Sequence, residues 1–240
     1  AGDRGSLIHG ILAAFVGTAG PVEGEAGLAR FVAIAEAALA AHAENPAFVA
    51  LWRPRMAPIG RAVVADLAGR TDVVRRHCEI AGEILVRAPG LDVTIAGRAD
   101  RIDETAAGTI EVIDYKTGHV PGGKEVDAGL EPQLPLGGLI ARRGGYPGIP
   151  ADAPVGALTY VKIANRREAV EARPAGKERT AEELVAAAGP RLDGLIARYA
   201  DPTRGYLSRA RLKFERTFDQ PYDHLARAQE WADTGFGDEG

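Results

Sequence analysis

The sequence predicts an α/β domain: a helical part of about 75 residues, then a sheet-forming core, then a closing segment. Two patterns predict it. Apolar residues recur at helical spacing up to about residue 70 and again from Thr180 to Tyr199. Between them lie runs rich in Val, Ile and Thr, bounded by Gly and Pro, which read as strands.

The 240 residues can bury a substantial core as one domain, and no second domain boundary or internal repeat is visible. We expect parts at about 1–75 (helical), 76–200 (sheet core) and 201–240 (closing segment). No apolar run approaches the roughly 20 residues of a membrane span. The first residue is not Met, no signal peptide is visible, and a helix begins almost at once, so the chain reads as a fragment of a longer protein. With one cysteine, Cys78, there is no disulfide framework, which fits a cytoplasmic setting. The net charge of −4 argues against strong autonomous binding to nucleic acid, since that affinity comes largely from phosphate neutralisation.

In chain order, Gly5 to Phe15 reads as a helix with Ser6 as N-cap and a stripe of Ile8, Ile11, Leu12 and Phe15. His9 lies beside that stripe, where a histidine is ordinarily a hydrogen-bonded core-edge residue. Glu25 to Ala43 is a long Ala-rich helix. A further helix spans about Asn45 to Arg70, with an interruption expected at Pro54. Trp52 is assigned to packing, and His42 and His77 to structural roles. Cys78 to Val86 begins the sheet. Glu79 and Glu83 share one parity on that strand, where a carboxylate is ordinarily exposed.

Leu91 leads a second strand into Arg98-Ala99-Asp100-Arg101-Ile102-Asp103. A turn ending in Gly108 follows, then the strand Thr109 to Lys116. Side chains alternate along a strand, so Asp114 and Lys116 share one face and Ile113 and Tyr115 the other. Across this hairpin Asp100 can approach Asp114. Two carboxylates that close repel, one pKa rises, and a divalent cation such as Mg²⁺ resolves the conflict. Arg98 shares parity with Asp100 and is a candidate for a phosphate contact or an ion pair. After a loop through Gly118–Gly123, a helix is expected from Gln133 to about Arg143. Val155 to Ala164 is another buried strand. Thr180 to Tyr199 is an amphipathic helix with Thr180 and Glu183 as a capping box. The tail carries Tyr222-Asp223-His224 and Glu230-Trp231 and reads as a closing helix, frayed from Gly235.

Asp-x-Lys alone is a weak motif. Here it is paired: Gly97-x-x-Asp100 stands fourteen residues ahead of Asp114-Tyr115-Lys116-Thr117-Gly118, and Pro132-Gln133-Leu134-Pro135-Leu136 follows. In these three motifs the chain resembles the PD-(D/E)XK nuclease superfamily, in its RecB-like branch, nearest to the AddB-type C-terminal nuclease domain of bacterial AddAB helicase–nucleases. The resemblance runs through nearly the whole chain, including the tail.

The resemblance implies a restriction-endonuclease-like core, a central mixed sheet flanked by helices, with an N-terminal helical elaboration. It implies an Mg²⁺- or Mn²⁺-dependent deoxyribonuclease, an exonuclease by expectation, working in double-strand break repair and recombination. Asp100, Asp114 and Lys116 would be catalytic, with Gln133 contacting the scissile phosphate or holding a catalytic group. Metal ligands would be His9, which matches the family's first-helix histidine, Asp100, Asp114 and the backbone carbonyl of Tyr115. An imidazole ligand tilts such a site toward Mn²⁺. The RecB-like branch recurrently carries a glutamate just upstream of the Asp100 strand, for which Glu83 is the candidate and Glu79 the alternative. The family often places a tyrosine four residues after the glutamine; here that position is Gly137. Several RecB-like relatives carry a four-cysteine iron–sulfur cluster, which one cysteine cannot build. The expected partners are single-stranded DNA ends, an AddA-like helicase–nuclease subunit and the remainder of the chain's own protein. The alternative is a catalytically silent module of the same fold that holds DNA or a partner.

Overall fold

The computed structural model describes residues 2–88, 90–163 and 169–205. The tail motifs from Tyr222 to Trp231, and the fraying expected from Gly235, lie outside the described residues. Three helices come first: α1 (Gly2–Gly17), α2 (Gly24–Ala40) and α3 (Pro46–Gly69). Then follow β1 (Val73–Ala88), β2 (Leu91–Thr105), β3 (Ile110–Lys116), the single-turn α4 (Gly123–Asp127), α5 (Gln133–Arg142), β4 (Val155–Ile163), β5 (Val170–Pro174) and α6 (Ala181–Ala200). The sheet order is β1-β2-β3-β4-β5. Its pairs are antiparallel except β3 with β4, which run parallel. The parallel pair needs a crossover, and α4 and α5 supply it. This is the mixed sheet with flanking helices that the sequence predicts.

Two cores lie on opposite faces of the sheet. On one face α1, α2 and α3 bury Ile8, Phe15, Phe31, Met56 and Leu67 against Ile113, Tyr115, Val161 and Ile163. On the other, α5 and α6 bury Leu139, Ile140 and Val185 against Val112, Leu158 and Tyr160. Burial of each large aliphatic contributes roughly 1.5–3 kcal/mol, so both faces are strongly specified. Along β3 the odd residues Ile113 and Tyr115 therefore face α1–α3, and the even residues Val112 and Asp114 face α5, as alternation requires.

Two expectations need correction. Ser6 is not an N-cap: α1 begins at Gly2, and Arg4 in its first turns donates to the Thr117 carbonyl at 2.7 Å, tying the helix start to the end of β3. Pro54 does not interrupt α3, which runs through both Pro54 and Pro58. An internal proline costs about 3 kcal/mol. The buried stripe of Trp52, Met56, Ile59, Val63 and Leu67 offsets that cost. Trp52 is indeed a packing residue, against Phe48. The capping box of α6 is present, with the Glu183 N–H donating to Thr180 Oγ1 and the Thr180 N–H to Glu183 Oε2.

Candidate active site

The site forms where β2 parts from β3. Their ladder covers only Arg101–Glu104 opposite Ile110–Ile113. Beyond it, the Asp100 carboxylate replaces a strand partner, with Oδ2 accepting the Tyr115 N–H at 2.8 Å. The β1–β2 ladder also skips one step here. Cys78 pairs with Arg101 and Ile80 with Ala99, leaving Glu79 and Asp100 unpaired between them. Alternation reverses in both strands at this level. Cys78 lies against Gly17 of α1, whereas Ile80 packs on the α5 side. Ala99 belongs to the α5-side core, whereas the Arg101 guanidinium reaches the Tyr115 hydroxyl on the α1 side. Glu79 takes a left-handed φ of 50°, strained for a residue with a Cβ.

This irregularity gathers three ligand groups. Atoms of His9, Glu79 and Asp100 lie within 4.8 Å of one another. His9 Nδ1 is 3.4 Å from Asp100 Oδ1, and the Tyr115 carbonyl is also hydrogen-bonded to His9. The hydrogen bond with Asp100 raises the His9 pKa, against the effect of burial, and the charges of Asp100 and Asp114 add to it. The site thus carries a negative field that favours a cation. A donor set of one imidazole and two carboxylates suits Mn²⁺ and admits Mg²⁺.

A second group meets it from the α5 side. Lys116 Nζ lies 2.8 Å from Asp114 Oδ2. Gln133, at the first turn of α5, bridges the pair: its Nε2 donates to Asp114 Oδ1 at 2.5 Å, and its Oε1 accepts from Lys116 Nζ at 2.9 Å. Burial raises the Asp114 pKa; Lys116 opposes the rise and the charge of Asp100 adds to it.

His9, Asp100, Asp114, Tyr115, Lys116 and Gln133 are therefore brought together. Glu83 is not. It is exposed, opposite Ala96 and well up the β1–β2 arm, and the alternative, Glu79, stands opposite Asp100 instead. Both glutamates share strand parity, so only the register separates them. Arg98 lies 3.5 Å from Glu79 with its side chain 65% exposed. Histidines assigned to structure behave so: His77 pairs with Glu104, and the ring of His42 packs on Phe48.

Uncharacterized proteins of Rickettsia bellii (strain RML369-C) and Rickettsia conorii (strain ATCC VR-613 / Malish 7) are each 32% identical over 96 residues, which is 40% of this chain. The matched stretch spans only 12% of the length of either relative. A solved structure titled "Crystal structure of SSO0001" is 17% identical, with a TM-score of 0.30 over 53% of each chain. The PD-(D/E)XK nuclease superfamily matches residues 1–232, nearly the whole chain and every residue of the site. The chain belongs to the PD-(D/E)XK nuclease superfamily.

Proposed function

We propose that this chain is a divalent-metal-dependent deoxyribonuclease module that hydrolyses phosphodiester bonds in single strands. In this reading it acts as an exonuclease in the bacterial cytoplasm, trimming strands fed by an AddA-like helicase subunit during double-strand break repair. One observation carries it: His9, Glu79 and Asp100 converge beside an Asp114–Lys116 pair that Gln133 holds in place. The match to a small part of the Rickettsia relatives is what a nuclease module inside a larger protein would give.

His9, Glu79 and Asp100 would hold the cation, with Asp114 and the Tyr115 carbonyl facing it. A bound Mg²⁺ or Mn²⁺ supplies an acidified water and charge stabilisation at the phosphoryl oxygens. Among the chain's own groups, the Tyr115 N–H fixes the orientation of Asp100. Gln133 fixes both Asp114 and Lys116, which leaves the ammonium in one place rather than sweeping its rotamers. A fixed cation in a partly dry cleft stabilises charge developing on phosphate more than a solvated one does. Arg98 is exposed enough to reach a neighbouring phosphate.

The test is cleavage of end-labelled single-stranded DNA in Mg²⁺, Mn²⁺ or EDTA by the parent and by Lys116→Ala. We expect metal-dependent cutting that falls by on the order of 10²–10³-fold in the variant. Equal cutting by both proteins would remove Lys116 from the chemistry. A parent that binds Mn²⁺ in calorimetry yet cuts nothing alone would require the partner subunit, and one that binds none would be the silent module.

A further inference from the structure

Resting on the nuclease reading, one feature beside the carboxylates is not used by the chemistry. A cleft of about 240 Å³ lies between β2 and α5, with Asp100 and Asp114 in its lining. Val112, Leu136 and Ile140 give it an apolar lining, joined by the Tyr146 ring.

The space is kept by two glycines that nothing else requires. The next residue in α5, Gly138, must be glycine, because a Cβ there would sit 2.5 Å from Val185. Gly137 is different. A Cβ there would make ordinary contacts, 3.5 Å to Val112 Cγ1 and 3.8 Å to the Tyr146 hydroxyl, and its backbone is not left-handed. Glycine inside a helix costs about 1 kcal/mol relative to alanine. Gly97 on β2 repeats the pattern, with a Cβ 3.4 Å from Ile140 and 4.0 Å from the Tyr146 hydroxyl. Both absent side chains leave the same volume open.

The polar rim is equally specific. The Tyr146 ring is wedged under β1, where a Cβ on Gly82 would meet it at 2.3 Å, so its hydroxyl is held in the cleft. Burial pushes that phenol up to about 12, which keeps it a neutral donor and acceptor. Along residues 95–100, β2 pairs with β1 on one side only, because the β3 ladder stops at Arg101. The other backbone edge therefore faces the cleft with no ladder partner. Apolar walls with a few fixed polar groups suit a planar heteroaromatic ligand whose hydrogen-bonding groups lie on its edge.

We infer that this cleft receives the unpaired base of a nucleotide next to the scissile phosphate. Its faces lie against Val112 and Ile140, and its edge meets the β2 backbone and the Tyr146 hydroxyl. A base in a duplex has that edge already paired and its faces stacked, so it must be extruded first. The cleft then selects single strands without reading a sequence motif.

The test measures equilibrium binding, in a Lys116→Ala background with Mg²⁺, which suppresses cutting during the measurement. The probes are a fluorescent single-stranded oligonucleotide and an abasic strand of the same length. Gly137→Leu fills the cleft, and Gly137→Ala adds only the tolerated Cβ. We expect Gly137→Leu to weaken binding of the normal strand about tenfold, the scale of one lost base contact. Gly137→Ala should stay within about twofold, and all three proteins should bind the abasic strand equally weakly. Unchanged Mn²⁺ affinity in calorimetry shows that Gly137→Leu keeps the folded site. Parent-like binding by Gly137→Leu overturns the inference, as does an equal loss on both strands, or a Lys116→Ala protein that does not prefer the normal strand. Because no cleavage is read, a failed nuclease reading shows up separately, as a parent protein that neither cuts nor binds Mn²⁺.

Discussion

Arg101 with Asp103 and Lys116 with Asp114 are both cation–carboxylate pairs two residues apart, on adjacent strands of one hairpin. Their surroundings make them opposites. The Arg101 and Asp103 side chains are 1% and 0% exposed. Arg101 grips Asp103 through Nε at 2.6 Å and through a second nitrogen, and donates to the Tyr115 hydroxyl at 3.1 Å. Arg70 stands 3.9 Å away and also pairs with Asp66 and Glu111. Every charge in that cluster has a counter-charge inside the fold. Lys116 is a quarter exposed and meets its carboxylate through one nitrogen. The first pair is committed to the core beneath α1–α3. The second is held in position and still accessible, which is the condition for serving a substrate.

The comparison is broken most severely by removing the guanidinium. Arg101→Met leaves the Asp103 carboxylate buried with only Arg70 near it. Losing one partner of a buried pair costs roughly 3–5 kcal/mol. Urea unfolding of the Arg101→Met protein should show that loss, and Arg101→Met with Asp103→Leu should recover most of it. The matching change in the other pair, Lys116→Met, should cost less than Arg101→Met, because Lys116 is a quarter exposed and the buried Asp114 keeps its hydrogen bond from Gln133. If Lys116→Met were as destabilising as Arg101→Met, the division between a structural and a functional pair would be wrong.

Gln133 sharpens the contrast within the second pair. Gln133→Ala removes two hydrogen bonds to charged groups, each worth about 1.5–3 kcal/mol at most. Lys116 keeps access to water and still pairs with the buried Asp114, so unfolding should lose no more than about 1–3 kcal/mol. Cleavage should fall roughly 10- to 100-fold through kcat, because Lys116 and Asp114 lose their fixed geometry. A variant with parent kcat and raised KM would instead place Gln133 on the substrate.

Much of this was legible in the residues. The helical stripes and β-branched runs located α1–α3, β1–β4, α5 and α6, because each element buries one patterned face. β5 leaves no readable signal, because its Val170-Glu171-Ala172-Arg173-Pro174 is short and polar at an exposed edge, where packing imposes little pattern. The continuation of α3 past Pro54 depends on tertiary burial, which no local propensity contains. Asp100, Asp114, Lys116, Gln133 and His9 could be singled out because motif spacing survives in sequence. Choosing Glu79 over Glu83 required knowing which residue stands opposite Asp100. A shift of four residues along a strand does not change parity, and the reversal of alternation at Glu79 has no local signature.

That reversal supplies the smallest effect. Glu79 holds φ at 50°, where a residue with a Cβ loses roughly 1–2 kcal/mol relative to its relaxed state. Its ion pair with Arg98 is solvent-exposed on the arginine side and contributes little in return. Glu79→Gly adopts the same backbone without that strain and should raise stability by about 1 kcal/mol in urea unfolding. The same change removes one of three converging ligand groups, so Mn²⁺ affinity in calorimetry should fall at least tenfold. Glu83→Gly, on the same strand and outside the cluster, should leave Mn²⁺ binding alone and weaken the strand instead. A Glu79→Gly protein that is more stable and binds Mn²⁺ as the parent does would make the strained backbone a packing accident. Gain of stability with loss of metal would show that the strand is bent out of its ladder to carry the carboxylate.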